Sequence, residues 1–326
     1  QLAELTGGAT SLGADYPESG VRFLRVQNIM PNYIDDGDMT FISEADDKIL
    51  ARSRLQIGDV VLTITGVSYG KAAAVTPEFT GSNINQHSVR MKLKEGALIG
   101  PLTLSTFQNA GPGKLQSDQN ITGVTRPALD YETIRQFAVP IFSTEFFNAI
   151  EECIKSAELV RRESKQHLCE ADQTLLKALG LENWQPPEPL TYTRRASEAL
   201  AAGRIDAEHF RPKFSALTTK MEAHGKVVRL GDHLRFCERG RQPDYSEDGL
   251  RVINSRHVRT NNVVIDEENR YGIEDPTQLK LLEEDRLTIR RGDLLINGTG
   301  VGTMGRCSPY MLSEKALPDN HVTILR

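Results

Sequence analysis

The sequence contains a long internal repeat. Asp15–Arg22 returns as Asp244–Arg251, offset by 229 residues, and Gly58–Leu62 returns as Gly292–Ile296, offset by 234 residues. Shorter matches follow in the same order: Gly66, Gly70 and Lys71 return as Gly300, Gly305 and Arg306, and residues 85–87 return as 319–321. Solenoid units repeat every ~20–50 residues, so a repeat this long indicates a duplicated domain. Two such domains can read two copies of one target or two halves of it.

Length and composition permit two soluble domains and disfavour other classes. The 326 residues are enough for two domains, each with its own core. No run of about 18 apolar residues is present, so no transmembrane helix and no membrane partner are predicted. The cysteines, Cys153, Cys169, Cys237 and Cys307, lie far apart, which argues against a zinc site or a disulfide framework and fits a reducing cytoplasm.

The charge pattern leaves nucleic acid open as a partner. The net charge of −5 disfavours it only weakly, because a local basic face can still bind phosphates. Between Arg194 and Arg241, eleven Lys and Arg residues stand against six Asp and Glu residues. This local excess of cations would also suit a solvated linker face, so both interpretations remain.

The first domain, residues 1–142, is predicted to consist mostly of short strands and turns. Alternating polar and apolar residues predict half-buried strands at 22–27 and 88–93. The β-branched run 59–65, flanked by glycines, predicts a buried strand. A short helix is expected at 130–136.

A long helix is predicted over residues 143–181. Apolar and small residues follow a 4-3 spacing there, Ser143 or Thr144 can cap its start, and Gly180 can cap its end. About 36 residues span roughly 54 Å, which is too long to serve one small domain. An antiparallel spacer pair and a bent helix lying on a globular core both remain open. The residues expected to pack against a partner are Phe146, Ile150, Ile154, Leu168 and Leu175.

Residues 182–226 are predicted to form a linker and residues 227–326 the second domain. The linker is Pro-rich at 185–189 and holds a short helix at 196–202, which Gly203 closes. The second copy stops soon after His321, whereas the first continues into the long helix. We therefore expect the second domain to be incomplete by roughly 85–95 residues, including a second long helix, and a few residues to be missing before Gln1.

The glycine-rich segment 66–71 does not fit a phosphate-binding P-loop. Its glycines are separated by three residues where the P-loop has four, and Ala72 stands where Ser or Thr should follow the lysine. A nucleotide-using enzyme is therefore disfavoured, and a glycine turn that leaves a buried strand is predicted. Lys71 and Arg306 keep a cation in both copies, which fits a phosphate contact or a surface charge.

Residues that both copies share are interpreted as scaffold. Two domains that recognise different target sequences must differ in the residues that contact the target. His87 and His321 can contact base edges or can tie a loop to the sheet, and we favour the second role. Asp59 and Asp293 follow a glycine at the start of a strand and are expected to cap a turn.

Candidate DNA-reading residues lie where the copies differ, together with the shared cations. Arg and Lys suit guanine edges or phosphates, and Asn and Gln suit adenine edges. Lys114 and Gln116 follow Gly111-Pro112-Gly113, which is predicted to be a turn that exposes them. The candidates in the first copy are Arg25, Gln27, Asn28, Ser68, Tyr69, Lys71, Asn83, Lys114, Gln116 and Gln119. Those in the second are Arg239, Arg241, Asn254, Arg256, His257, Arg259, Asn261, Thr303 and Arg306.

The search for catalytic and metal motifs is almost empty. HExxH and Asn-Pro-Pro-Tyr are missing from the sequence. Gly66–Gly70 has the spacing of GxSxG and Gly300–Gly305 that of GxGxxG, but both lie in the glycine turns predicted above. Isolated acids and histidines do not compose an acid–base site. No catalytic residue, metal ligand or cofactor is predicted.

The combined pattern resembles the specificity (S) subunit of type I restriction-modification systems. The residues that carry the resemblance are the Gly-Asp-Val-Val-Leu strand 58–62, the glycine segment 66–71, the long helix, and a second such domain introduced by Gly203–Phe210. The resemblance covers nearly the whole chain. It implies an α+β fold with two similar β-rich target-recognition domains separated by a long coiled-coil-type helix, the second domain being truncated here.

The resemblance also implies a function and partners. Each domain of such a subunit reads one half of a bipartite site in double-stranded DNA, and the helices set the spacer and dock the methyltransferase (M) subunits. Restriction (R) subunits join through them, and S-adenosylmethionine, ATP and Mg²⁺ belong to those partners. The alternatives are a recognition region of a fused restriction-methylation enzyme and a protein-interaction scaffold that does not bind DNA.

Overall fold

The chain folds into two compact units, Gln1–Glu163 and Ser164–Arg326. The structure is a computed structural model that describes residues 3–10, 16–66, 68–123, 127–246, 249–265, 272–273, 277, 286–300 and 302–326. Within this part, no helix is long and apolar enough to cross a membrane. Strand-rich regions precede and follow one long helix along the chain. The α+β class and the long helix are thereby confirmed, whereas the domain boundaries proposed above stay predictions.

The first unit is built on a four-stranded antiparallel sheet and smaller strand groups. Its strands are β1 (Ala3–Gly7), β2 (Val21–Leu24), β3 (Ile29–Met30), β4 (Tyr33–Ile34), β5 (Thr40–Ile42), β6 (Val60–Thr63), β7 (Ala72–Ala74), β8 (Asn83–Ile84) and β9 (Ser88–Leu93). Its helices are α1 (Glu44–Ile49), α2 (Pro101–Asn109), α3 (Gly111–Asn120) and α4 (Tyr131–Arg135), and α5 (Thr144–Ala178) begins in it. The strand orders are β1-β9-β6-β7, β5-β2-β8 and β3-β4.

The core of the first unit lies on both faces of the main sheet. Successive side chains of a strand point to opposite faces, so the fully buried β6 serves two clusters. Val60 and Leu62 pack in a cluster that contains Leu104 of α2 and Phe147 of α5. Val61 packs in the other cluster with residues of the smaller strands. This double burial explains why β6 is a continuous run of apolar and β-branched residues.

The second unit holds helices α6 (Ala196–Ala202) and α7 (Pro212–His224) ahead of its strands. The strands are β10 (Cys237–Arg239), β11 (Leu250–Ile253), β12 (Val258–Arg259), β13 (Asn262–Val263), β14 (Gly272–Ile273), β15 (Leu294–Asn297), β16 (Cys307–Pro309), β17 (Leu317–Pro318) and β18 (Val322–Leu325). They are ordered β10-β18-β15-β16, β14-β11-β17 and β12-β13.

The two units repeat one another in strand order and register. In the main sheet of the first unit, Val60 pairs with Met91. In that of the second unit, Leu294 pairs with Leu325, and each of these residues lies 234 positions after its counterpart in the first unit. The parallel pair β2–β8 matches the parallel pair β11–β17. The duplication read from the sequence is therefore confirmed as a duplication of fold. Asp15, Glu247 and Asp248 of the repeated segments lie outside the described residues.

The units differ in what covers one face of the main sheet. Val60 and Leu62 are completely buried, whereas their counterparts Leu294 and Ile296 are only half-buried. In the first unit this face packs against residues of α2, α4 and α5, which follow β9 in the chain.

Helix α5 begins and ends near the predicted residues. Ser143 Oγ accepts a hydrogen bond from the N–H of Phe146 at 3.3 Å, which satisfies a free donor of the first turn. Gly180 has φ 63°, and the N–H of Leu181 reaches the carbonyl oxygen of Leu176 at 2.7 Å, which together form a Schellman cap. The predicted helix at 196–202 with its Gly203 cap is also confirmed.

The partner-facing residues predicted on α5 do not share one environment. Ile150 and Ile154 are half-buried, in line with the buried Phe147. Phe146, Leu168 and Leu175 are exposed, and Phe146 contacts the ring of Phe142 at 4.7 Å between centroids. Packing of this stripe against another helix stays a prediction.

Two local predictions in the first unit are wrong. The strand predicted at 22–27 ends at Leu24, because Val26–Asn28 form a 3-10 turn in which Asn28 Oδ1 accepts the N–H of Arg25 at 3.0 Å. The segment Gly111-Pro112-Gly113 is not a turn but the start of α3. Proline is tolerated in the first turn of a helix, where its missing N–H costs no hydrogen bond.

Candidate nucleic-acid interface

Both units carry a glycine loop between two adjacent strands of the main sheet. In the first unit it covers residues 65–71, between β6 and β7, and in the second it covers 299–306, between β15 and β16. Each loop is closed by the same backbone bond: Gly70 N–H to Thr63 O and Gly305 N–H to Asn297 O, both 2.8 Å. The predicted glycine turn after a strand is confirmed in both copies, and the strand is completely buried in the first.

A threonine–histidine hydrogen bond anchors each glycine loop to the neighbouring strand. Thr65 Oγ1 lies 2.6 Å from His87 Nδ1, and Thr299 Oγ1 lies 2.5 Å from His321 Nδ1. The backbone N–H of each histidine is held in turn by the side chain two residues earlier, at 3.2 Å in the first unit and 2.8 Å in the second. The scaffold role predicted for the two histidines is confirmed.

The repeated aspartates cap the turn before the central strand. Asp59 accepts the N–H of Gln56 and Asp293 accepts the N–H of Arg290, both at 2.8 Å. Burial raises the pKa of Asp59 above its ordinary value, although the Gln56 N–H and nearby cations oppose this shift. The predicted capping role is confirmed. The two carboxylates hold the turn before the strand that leads into each glycine loop.

A small hairpin lies beside each glycine loop. The hairpins are β3–β4 and β12–β13, and their turns place Asn32 and Asn261 in the left-handed region, with φ 67° and 60°. Asn32 N–H donates to Ala72 O at 2.9 Å, and Asn261 N–H donates to Cys307 O at 3.0 Å. Asparagine tolerates this backbone conformation better than most residues. Each hairpin tip is therefore fixed next to the strand that leaves the glycine loop.

In the first unit, the glycine loop contacts helix α3 through three polar side chains. Tyr69 donates its hydroxyl to Asp118 Oδ1 at 2.7 Å, and Lys114 Nζ lies 2.6 Å from the same oxygen. Lys114 Nζ also lies 4.1 Å from the centre of the Tyr69 ring, within range of a cation–π interaction. We call these three residues the loop–helix triad.

The triad shifts the pKa values of its members. Partial burial alone would raise the pKa of Asp118, but the hydrogen bonds from Lys114 and Tyr69 outweigh it and lower that pKa. Partial burial likewise opposes the charge of Lys114, yet Asp118 and Tyr69 raise the pKa of the ammonium group. Burial and the Asp118 carboxylate raise the pKa of the Tyr69 hydroxyl. Lys114 and Asp118 are therefore both ionised near neutral pH.

In the second unit, arginines surround the corresponding loop and hairpin. Arg256 and Arg259 are exposed around hairpin β12–β13, and the partly buried Arg306 ends the glycine loop. Asn297 Nδ2 ties the central strand to the hairpin segment by donating to Ser255 O at 2.9 Å. Arg239 is also exposed and donates to the carbonyl oxygen of Asn320, next to the anchoring histidine. This group of cations suits phosphates or guanine edges.

Four of the candidate residues have buried side chains with internal roles. Asn28 and His257 hold corresponding turns, since each accepts a backbone N–H from three residues earlier at 3.0 Å. Asn83 donates to Asp47 at 2.6 Å and accepts from Ser53 at 2.8 Å. Asn254 is also buried and accepts the N–H of Arg256. DNA contact by these four stays a prediction, although their polar atoms are already used inside the fold.

The other candidates have partly buried or exposed side chains. Gln116 Nε2 donates to Ala138 O at 3.1 Å, and Gln116 Oε1 accepts the N–H of Ala138 at 2.7 Å. These two hydrogen bonds fix α3 to the segment before α5. Thr303 Oγ1 donates to Thr299 O inside its loop at 3.2 Å. Arg25 Nη2 donates to Asp38 O at 3.0 Å. Ser68 and Lys71 are half-buried in the first glycine loop, whereas Gln27, Gln119 and Arg241 are exposed. DNA contact by these residues is untested.

Asp118 is not among the residues predicted from the sequence. The signal was present, because Asp118 stands four residues after Lys114 and such pairs meet on one helix face. A turn at residues 111–113, as predicted above, does not place Lys114 and Asp118 on one helix, so the pair was not predicted. Its contact with Tyr69, 49 residues earlier in the chain, could not be read from the sequence at all.

Comparison with known proteins finds similarity only among solved structures. No protein-family model and no curated protein matches the chain. The S subunit of a type I restriction-modification system from M. genitalium is 11% identical, with a TM-score of 0.38, over 100% of this chain and 70% of its own. The HsdS subunit from Thermoanaerobacter tengcongensis is 13% identical, with a TM-score of 0.31, over 99% and 75%. A third structure, on the assembly and conformational transition of the type I R-M system, is 14% identical, with a TM-score of 0.32, over 100% and 75%.

These structures come from the system that the sequence motifs resemble. At such TM-scores and identities the likeness does not assign the chain to a family. The internal geometry of the two units is therefore the basis for the function proposed below.

Proposed function

We propose that this chain is a sequence-specific DNA-recognition subunit of a type I restriction-modification complex. The observation that carries the proposal is the repeated framework around the glycine loop, combined with polar side chains at the loop that are not repeated. The threonine–histidine anchor is the same in both units, whereas Tyr69 of the first loop stands where the second loop has Met304. Two readers with one scaffold and different reading residues suit a target with two unlike halves.

The chemistry of the two surfaces supports this proposal. The arginines around the second loop can contact phosphates and guanine edges. In the first unit, Tyr69 and Lys114 hold the Asp118 carboxylate beside the glycine loop, where it can accept a hydrogen bond from a base edge. The subunit itself carries no catalysis in this proposal. Methyltransferase subunits dock on it in the cytoplasm, bring restriction subunits with them, and supply the sites for S-adenosylmethionine, ATP and Mg²⁺. The long helix sets the spacer between the half-sites.

Selection from a randomised duplex DNA library tests the proposal. The full chain should enrich a bipartite motif of two short half-sites with an unspecified spacer. Its affinity should fall linearly on a log–log plot as salt rises, because phosphate contacts release counterions. A chain that binds mixed duplex DNA without any enriched motif, or does not bind DNA, contradicts the proposal and favours a protein-interaction scaffold.

A further inference from the structure

The loop–helix triad leaves one carboxylate oxygen available. Asp118 Oδ1 accepts both the Tyr69 hydroxyl and the Lys114 ammonium group, at 2.7 and 2.6 Å. Among the residues that the structure describes, no donor lies within hydrogen-bond distance of Asp118 Oδ2. The Asp118 side chain is 41% exposed, so this oxygen can meet a ligand from solvent. Two donors on Oδ1 fix the orientation of the carboxylate.

The triad is poorly suited to bind phosphate. A phosphate needs an uncompensated cation, but the charge of Lys114 is neutralised by Asp118 at 2.6 Å. The approach of an anion would also bring it close to the Asp118 carboxylate, which repels it. The triad therefore presents an acceptor at the surface and no net charge.

Tyr69 is equally unsuited to stack on a base. Lys114 lies over one face of its ring at 4.1 Å, and its hydroxyl is used by Asp118. The next residue, Gly70, approaches α3 closely: a Cβ added there would lie 3.4 Å from Ser117 Cβ. The loop and the helix are thus packed together, and Tyr69 acts as a positioning residue for Asp118.

We propose that Asp118 is a base-reading residue of the first unit, whose free Oδ2 accepts a hydrogen bond from the N4 amino group of cytosine in the major groove. This inference rests on the proposed function. A carboxylate only accepts hydrogen bonds, and the major-groove edge of cytosine presents an amino donor. Adenine presents an amino donor too, but its N7 acceptor lies beside it and faces a carboxylate unfavourably. Asp118 therefore selects a C·G pair at one position of one half-site.

Two substitutions of matched chemistry test the base contact. In D118N the carboxylate becomes an amide, which pairs with adenine N6 and N7, so the preference for cytosine at one position should fall about tenfold and shift towards adenine. The control E132Q removes a carboxylate from the pair Glu132–Arg135, which lies on α4 of the same unit. It should leave the whole motif unchanged. The readout is library selection with the full-length chain and each variant, after thermal unfolding confirms that each variant is folded.

The salt dependence of binding separates base reading from phosphate contact. In K114Q, the slope of log affinity against log salt should stay at the wild-type value, because the charge of Lys114 is already used by Asp118. In D118N the freed Lys114 should steepen the slope by up to about 0.9, the value for one phosphate contact. A K114Q slope that is shallower by about 0.9 shows that Lys114 contacts phosphate and overturns the inference.

The outcomes distinguish this inference from the function on which it rests. If the wild-type chain enriches no motif, the proposed function fails and the inference fails with it. If the wild-type chain enriches a bipartite motif that D118N leaves intact at every position, only the inference fails. A change confined to one base pair of one half-site supports both.

Discussion

At the scale of single residues, the duplication lets one unit serve as the control for the other. Asn85 and Asp319 occupy equivalent places, and each accepts the N–H of the anchoring histidine two residues later. The amide in the first unit is neutral, whereas the carboxylate in the second is 1% exposed and carries a charge when ionised. Burial raises the pKa of Asp319, although the His321 N–H, the charge of His321 and the Tyr245 hydroxyl oppose this shift.

Asp319→Asn should stabilise the second unit at neutral pH. A carboxylate whose folded pKa lies above its unfolded pKa destabilises the folded state once pH exceeds the unfolded value, because the unfolded chain ionises more readily. The gain should be present at pH 7 and should vanish in acid, where the carboxylate is protonated in both states. Unfolding by denaturant at several pH values measures it.

The reciprocal change, Asn85→Asp, provides the matched control and should destabilise the first unit at pH 7. A loss of stability in Asp319→Asn at pH 7 would show that the charge itself, paired with His321, holds the second glycine loop in place.

Glycine at one repeated position is required by close packing. A Cβ on Gly8 would lie 2.1 Å from Asn85 O, and one on Gly240 would lie 2.2 Å from Asp319 O, both too short for any side chain. Each glycine lets the chain pass the segment that holds the anchoring histidine. The copies thus share an unusual contact that the sequence comparison did not reveal.

Gly8→Ala and Gly240→Ala should each cost roughly 2–4 kcal/mol, since backbone rather than a flexible side chain blocks the added methyl group. Thermal unfolding checks this, with Gly225→Ala as the control, because nothing lies within 4 Å of a Cβ added there. Equal stabilities for Gly8→Ala and Gly225→Ala would contradict the assigned packing.

At the scale of elements, α3 and α5 show what local patterns can and cannot predict. The 4-3 spacing and the caps of α5 are local features, and the helix agrees with them at both ends. Helix α3 is short, weakly amphipathic and opened by Gly-Pro-Gly, so its local signals resemble those of a turn. Helix α3 packs against the glycine loop through the contact between Ser117 and Gly70. This tertiary contact favours a helix over a turn in that segment, and local sequence patterns do not show it.

Helix length should control the spacing between half-sites without affecting their sequences. Deletion of one heptad from α5, together with one heptad of any helix that packs against it in the assembled complex, should change the spacer and leave both half-sites intact. The reason is that none of the candidate reading residues lies in α5. Mapping of methylated sites for the assembled complex measures both properties, and altered half-sites with an unchanged spacer would contradict the ruler role.

At the scale of the whole molecule, each unit has its own hydrophobic clusters. Those of the first unit include Val60 and Val61, and those of the second include Leu295 and Ile324. The reading surface proposed for each unit is built from residues of that unit alone. Separate cores with separate surfaces are the physical basis for modular recognition.

Replacement of residues 1–142 by the corresponding domain of a related protein should therefore change one half-site only. The second unit keeps its arginines around the loop 299–306 and should keep its own target. Methylation-site mapping of the assembled chimera checks this. A change in both half-sites would show that the units do not read independently.

The sequence alone determined the duplication, the long helix with its caps, the buried central strand, and the framework roles of the aspartates and histidines around the glycine loop. These are encoded by local patterns and by comparison of one copy with the other. Only the tertiary structure decided that Asn28, Asn83, Asn254 and His257 have buried side chains, and that Asp118 meets Tyr69 at the loop. The reason is that side-chain burial and contacts between segments far apart in the chain depend on packing, which residue type and spacing do not specify.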